Sequence, residues 1–222
     1  ILKERKRVII NFLIIIQEKM EIYLIRHLKT KGNVEHRYIG TTNESLIKKE
    51  AQLVIIEQMQ NKLKKCQLPD MLISSPLKRC VETAKIYFSD ITLQLQPKLK
   101  ESDFGLFENK NHEELQAFPE YQAWLESNGT LPFPKGESRE SFLKRCRDGF
   151  EESIFQAIEQ HKKCVCFVIH GGSIMAVLSQ FSEQDSEFYD WLLKNGEGYQ
   201  MYLDEKEWKE GRKKVLRGIK KL

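Results

Sequence analysis

Two short apolar runs each end in a histidine, and that pairing limits the architecture of this 222-residue chain more than any other feature. Ile22-Tyr23-Leu24-Ile25 runs into Arg26-His27, and Cys164 to Ile169 runs into His170-Gly171-Gly172. Apolar runs of this length, bounded by polar or glycine residues, read as buried strands. Strands apolar on both faces belong to parallel sheets covered by helices on each side. Ligands of such open α/β sheets sit outside the carboxyl ends of the strands. Both histidines are therefore expected at one site.

The intervening chain alternates in the same way. Glu44 to Lys65 carries Leu46, Leu53, Ile56, Met59 and Leu63 at helical spacing, and Met71-Leu72-Ile73 reads as a short strand. Pro76 opens a helix that Leu77 to Phe88 continues, and Ile91 to Leu95 is a strand ended by Pro97. A long helix over Ser138 to His161, a helix over Gly172 to Gln180 and a last strand over Tyr199 to Leu203 complete the pattern. The alternation predicts an α/β fold, a three-layer αβα sandwich with a mostly parallel central sheet. Residues 101–137 break it, with three of the six prolines and the aromatics Phe104, Phe107, Phe118, Tyr121, Trp124 and Phe133. Connections of that length are functional segments, so a helical and loop lid is expected there, inserted into a single domain over 20–222. Packing as a small subdomain core is the simpler expectation for its aromatics. Stacking of a heterocycle or sugar on Phe104, Phe107, Tyr121 or Trp124 is the functional alternative.

Composition excludes several classes. The net charge of +4 comes largely from Lys3 to Arg7 and Arg212 to Lys221, two solvated ends rather than a nucleic-acid surface. Five cysteines, an odd count without a CxxC pair, fit neither a disulfide framework nor a zinc site. Cys164 and Cys166 share a strand face and are expected to pack as small hydrophobes in a reducing, cytoplasmic setting. The apolar stretch Val8 to Ile16 is nine residues, short of the roughly 20 that span a bilayer. It ends in Gln17-Glu18-Lys19 rather than small residues, a poor fit to a secretory signal. Met20 directly precedes the first strand. It is read as the native start, with residues 1–19 an extension outside the fold, an expectation that mass spectrometry of the natively translated protein would test.

Three clusters carry chemistry. Arg26-His27-Leu28-Lys29-Thr30-Lys31-Gly32-Asn33 offers an imidazole among cationic and polar donors, and neighbouring positive charge keeps such an imidazole neutral and nucleophilic. Ser74-Ser75-Pro76-Leu77-Lys78-Arg79 places Arg79 in the first turn of a helix, where a guanidinium can fork onto phosphate oxygens. His170-Gly171-Gly172 puts a histidine and backbone amides at a strand-to-helix turn suited to an anion. Each alone has a structural reading: a His-Arg pair, a surface arginine, a tight turn.

Together the clusters resemble the histidine phosphatase superfamily, the phosphoglycerate-mutase-like fold, from Met20 to about Leu203. The ordered elements are Arg26-His27 with Thr30 and Asn33, Arg37-Tyr38-x-Gly40, Ser74 to Arg79, Glu101, Gly136-Glu137-Ser138 and His170-Gly171-Gly172. Glu101-x-Asp103-Phe104-Gly105-x-Phe107-Glu108 and Pro134-x-Gly136-Glu137-Ser138 look most like the α-ribazole phosphatase branch, which serves cobalamin biosynthesis. The resemblance implies that His27 becomes phosphohistidine while Arg26, Arg79 and His170 hold the phosphoryl oxygens. It implies that Thr30, Asn33 and the backbone at Gly171 lie at the phosphate, and that Glu101 serves as proton donor and acceptor, with Asp103 and Glu108 as rivals. It implies no metal and no cofactor, with a small phosphorylated metabolite as partner. Three positions depart from the pattern: Leu28 stands where glycine is usual, Lys29 where glutamate is, and Asn109 where a second glycine is.

Phosphomonoester hydrolysis, on a substrate such as α-ribazole 5'-phosphate, is thus the expected activity. Phosphoglycerate mutase-type transfer is one alternative, disfavoured because Ser102 to Leu106 lacks the cations that would grip a glycerate carboxylate. A non-catalytic phospho-ligand binding protein is the other, disfavoured because Arg26, His27, Arg79 and His170 are all present.

Overall fold

The computed structural model describes residues 19–222, so the expected extension falls almost wholly outside the described residues. Strand β1 (Lys19–Arg26) is followed by the single turn α1 (Lys31–Val34), then α2 (Leu53–Leu63), β2 (Met71–Ser74), α3 (Lys78–Tyr87) and β3 (Leu93–Leu95). Two short helices, α4 (His112–Leu115) and α5 (Pro119–Glu126), lie in the aromatic segment. The long α6 (Arg139–Glu159), β4 (Cys164–Ile169), α7 (Gly171–Phe181), β5 (Gly198–Asp204), α8 (Glu205–Lys209) and β6 (Leu216–Lys221) follow.

The six strands form one sheet in the order β3-β2-β4-β1-β5-β6. Pairings β2–β3, β2–β4 and β1–β4 are parallel, whereas β1–β5 and β5–β6 are antiparallel. The sheet is mostly parallel, as its apolar strands foretold. Along β1 the side chains alternate between two cores. Met20, Ile22 and Leu24 pack with Phe142, Phe150 and Ile174 of α6 and α7, while Tyr23 and Ile25 pack with Met59, Cys80 and Ala84 of α2 and α3. Each such burial is worth about 1.5–3 kcal/mol against exposure, which pins the register: a one-residue slip would exchange the two sets. Cys164 and Cys166 are fully buried in the second core, packing as small hydrophobes.

Three stretches differ from the sequence-based expectation. Residues 44–48 are extended rather than helical, because Leu46 bridges Thr30 and the Ile47 amide donates to the Lys29 carbonyl; helix begins only after a 3-10 turn at Lys49–Gln52. The strand expected over Ile91 to Leu95 is confined to its last three residues. Beyond the last expected strand, the chain supplies α8 and a further strand β6, which covers the edge of β5. Within 101–137, Phe107, Leu115 and Tyr121 form a small buried core of their own.

Candidate active site

The site begins with strand register. Arg26 on β1 pairs with Ile169 on β4, and the His27 amide donates to the Ile169 carbonyl. His27 and His170 therefore leave adjacent parallel strands side by side, and their rings meet edge to face with centroids 5.2 Å apart. On the other side of β4, Ser74 pairs with Val168 and the Ser75 amide donates to the Val168 carbonyl. Ser75 Oγ lies 2.7 Å from His170 Nε2. Three neighbouring strand ends thus deliver Ser75, His170 and His27 to one place.

Hydrogen bonding fixes both tautomers. His27 Nδ1 lies 2.7 Å from the Leu28 carbonyl. A carbonyl only accepts, so Nδ1 carries the proton and Nε2 keeps a free lone pair. Arg79 Nε donates to His170 Nδ1 at 3.2 Å; a guanidinium only donates, so the His170 proton resides on Nε2. Both imidazoles are held well below their ordinary value of 6.5, by burial first and then by the Arg79 charge, with Arg26 adding to it. A neutral His27 with an open Nε2 is the form that can attack phosphorus.

Arg79 is completely buried. Its other N–H groups donate to the carbonyls of Ile39, Gly40 and Thr42. None of these acceptors is a carboxylate, so the charge is oriented without being cancelled. Arg26 Nη1 donates to the Leu193 carbonyl, and its buried Nε has no partner. Neither arginine forms an ion pair among the described residues. Two guanidinium groups without a direct ion pair, Arg26 sensing Glu101 only at longer range, make a site for an anion beside two neutral imidazoles.

Beside Arg26 opens a cavity of about 240 Å³ whose wall also includes Glu101, Gly171 and Gly172, while the buried His27, His170 and Arg79 lie behind that wall. Glu101 Oε2 accepts from the Gly172 amide at 3.1 Å and Oε1 from the Ser102 amide at 3.0 Å. Its rivals lie elsewhere. Glu108 is spent on the 40–42 loop, accepting from the Gly40 and Thr41 amides and Thr42 Oγ1. Asp103 caps the Gly105 amide and faces a different cavity, beside Glu137.

Thr30 is buried and caps α1, its Oγ1 accepting from the Asn33 amide. Asn33 Oδ1 accepts from Thr30 and from Asn195, and its Nδ2 has no protein partner among the described residues. Thr30 is thus placed as a cap, and Asn33 keeps a donor to offer. The three departures from the family pattern also have local accounts. Leu28 does not line the cavity; it packs within van der Waals range of Gly196, where φ is +78° and a Cβ would come 3.1 Å from the Leu28 side chain. Lys29 is exposed, its amide held by Gln52 Oε1. Asn109 sits at φ 59°, a left-handed position glycine favours and asparagine tolerates.

Several residues escaped the sequence reading. Asn195 donates to the His27 carbonyl and to Asn33, and the Asn-Gly turn it opens was its visible signal. Arg145 grips both oxygens of Glu137 and donates to the carbonyls of Lys98, Lys100 and Glu101. Arg139, in the first turn of α6, lines the cavity.

An α/β sheet that gathers two neutral imidazoles, two unpaired arginines and a carboxyl at the ends of its parallel strands defines a phosphoryl-handling enzyme. The chain belongs to the histidine phosphatase superfamily (branch 1), whose family model matches residues 22–214. It is 28% identical over 175 residues to the adenosylcobalamin/alpha-ribazole phosphatase of Escherichia coli K12, covering 76% of this chain and 82% of that one. Among solved structures it is similar to the alpha-ribazole phosphatase of Shigella flexneri, with TM-score 0.65, 24% identity and coverage of 82% and 90%. It is also similar to a phosphoglycerate mutase of Thermus thermophilus, with TM-score 0.59, 26% identity and coverage of 90% and 98%. No helix among the described residues is long and apolar enough to cross a membrane.

Proposed function

We propose that this chain is a phosphomonoesterase that passes the phosphoryl group through His27 to water. The observation that carries the reading is the fixed His27 tautomer, Nε2 open, in edge contact with His170 and beside Arg26 and Arg79. In the first step Nε2 attacks phosphorus, the P–O ester bond breaks, and the leaving oxygen takes a proton from Glu101. In the second, water gives a proton to Glu101 as its oxygen attacks phosphorus, and the P–N bond breaks to restore His27. Charge developing on the transferring group is stabilised by Arg26 and by the field of Arg79, and His170, whose Nε2–H is shared with Ser75 Oγ, turns that donor to the phosphoryl oxygen when substrate binds. Asn33 Nδ2 and the Gly171 backbone add donors, while Thr30 acts through the Asn33 rotamer it fixes. Two guanidinium groups supply the positive charge that a divalent ion gives elsewhere, so activity is expected to persist in chelator.

Hydrolysis is favoured over mutase transfer by the cavity wall. Phe104, Trp124, Phe133 and Phe142 line the cavity, and although Arg139 also lies in its wall, most of that surface is apolar and wider than a small hydroxy acid would cover. They suit a flat apolar body, as in the heterocyclic leaving group of α-ribazole 5'-phosphate. Residues 101–137 act in this reading as the lid of a single domain, and a cytoplasmic phosphorylated metabolite is the substrate. The test is hydrolysis of an aryl phosphate in excess chelator by the wild-type enzyme and His27→Ala. Turnover that vanishes with His27 supports the reading. Equal turnover by both, no turnover across a broad panel, or transfer to glycerate in place of water overturns it.

A further inference from the structure

Among the described residues, the cavity wall holds one cation that the proposed chemistry does not use. Arg139 lines it together with Phe133, Phe188 and Tyr189. Its guanidinium lies over the Phe188 ring, 4.6 Å from the centroid. It is half-buried and, among the described residues, makes no hydrogen bond and no ion pair. Stability does not explain it. A cation in the first turn of α6 opposes the helix macrodipole, which works against the gain from its contact with Phe188. What remains is a planar, pre-oriented donor fork in an otherwise aromatic wall, where low local polarity strengthens any charge it meets.

We propose that Arg139 is a second anion-recognising subsite, selecting phosphomonoesters whose aromatic leaving group carries a carboxylate. The proposal rests on the phosphomonoesterase reading and, because α-ribazole 5'-phosphate bears no carboxylate, points to a different aromatic ester as the preferred substrate. The phosphoryl group engages Arg26 and the histidines, the ring packs among Phe104, Trp124 and Phe133, and the carboxylate pairs with Arg139. The contact with the Phe188 ring restrains the guanidinium before substrate arrives, so less order is lost on binding.

The test compares para-carboxyphenyl phosphate with its neutral isostere para-carbamoylphenyl phosphate, in the wild type, Arg139→Met and Arg139→Lys. The ratio of kcat/KM for the two esters is the readout, because general damage to a variant cancels in it. The wild type should prefer the carboxylate by about tenfold, the worth of one charge-assisted hydrogen bond, expressed in KM and weakening with added salt. Arg139→Met should bring the ratio to that of the esters' intrinsic reactivities, and Arg139→Lys should restore part of it. A wild type without preference, or a preference that survives Arg139→Met, overturns the subsite alone. Failure of the wild type on both esters while other aryl phosphates are hydrolysed overturns the subsite alone, and failure across the whole aryl phosphate panel overturns the phosphomonoesterase reading with it.

Discussion

Arg79 Nε donates to Nδ1 of His170 at 3.2 Å, so a fully buried cation dictates which nitrogen of that histidine carries its proton. Burial first, and then this contact, keeps His170 neutral, because a charged imidazole out of water and against the guanidinium is too costly. His27, 5.2 Å away, is held neutral by its own burial and by the same cation.

That neutrality has a pH consequence for folding. Both imidazoles have folded-state values below 6.5, so as pH falls the unfolded chain takes up these protons before the folded one does. Their contribution is fully present above about pH 6.5 and is lost below it, by up to about 1.4 kcal/mol per pH unit for each ring. Denaturant midpoints between pH 7 and pH 5 should fall, and the slope should be shallower in His170→Gln. A midpoint independent of pH across that window would contradict it.

Glu101 is expected to matter in proportion to how badly the leaving group needs a proton. Glu101→Gln should lower kcat on alkyl phosphates by about 10²–10⁴-fold, and much less on para-nitrophenyl phosphate. Equal losses on both esters would remove Glu101 from the role of acid.

Gly172 gives a sharper probe of the same carboxyl. A Cβ there would fall 2.2 Å from Glu101 Oε1 and 3.2 Å from the Phe142 ring. The carboxylate is the movable partner, so Gly172→Ala should displace it while the helix start gains from alanine. Turnover of alkyl phosphates should drop about 10–100-fold with the melting temperature unchanged or raised. Unaltered turnover would mean the contact with the Gly172 amide does not position Glu101.

Arg145 and Glu137 set the backbone beneath that acid. Arg145 ties the carbonyls of Lys98, Lys100 and Glu101 to the start of α6, and Glu137 orients it through two 2.7 Å contacts. Arg145→Met should destabilise the fold by about 2–3 kcal/mol and lower kcat on alkyl phosphates more than on para-nitrophenyl phosphate. Thermal melts together with the two rate constants check it.

Much of this was legible in the residues. Strands β1 and β4 announced themselves because burial on both faces demands unbroken apolar runs, and the histidines that follow them had only one sheet edge to occupy. Arg79 was visible in the first turn after a strand and Pro76. The extended 44–48 stretch was not, since the bridge from Leu46 to Thr30 outweighs a helical spacing that looks the same in sequence. Nor were Asn195 and Arg139: each reaches the site from a segment distant in sequence, and nothing local marks an arginine over Phe188 as different from a solvated one. The aromatic segment divides between two environments that its composition does not distinguish. Phe107 and Tyr121 are buried within it, while Phe104 and Trp124 face the cavity.

The account stands on His27 carrying the phosphoryl group. Rapid-quench mixing of enzyme with an aryl phosphate, followed by proteolysis and mass spectrometry under alkaline conditions, reads that directly. The account predicts one acid-labile, base-stable phosphoryl group on the peptide containing His27, absent from His27→Ala. Turnover with no phosphopeptide, or phosphate on any other residue, would contradict it.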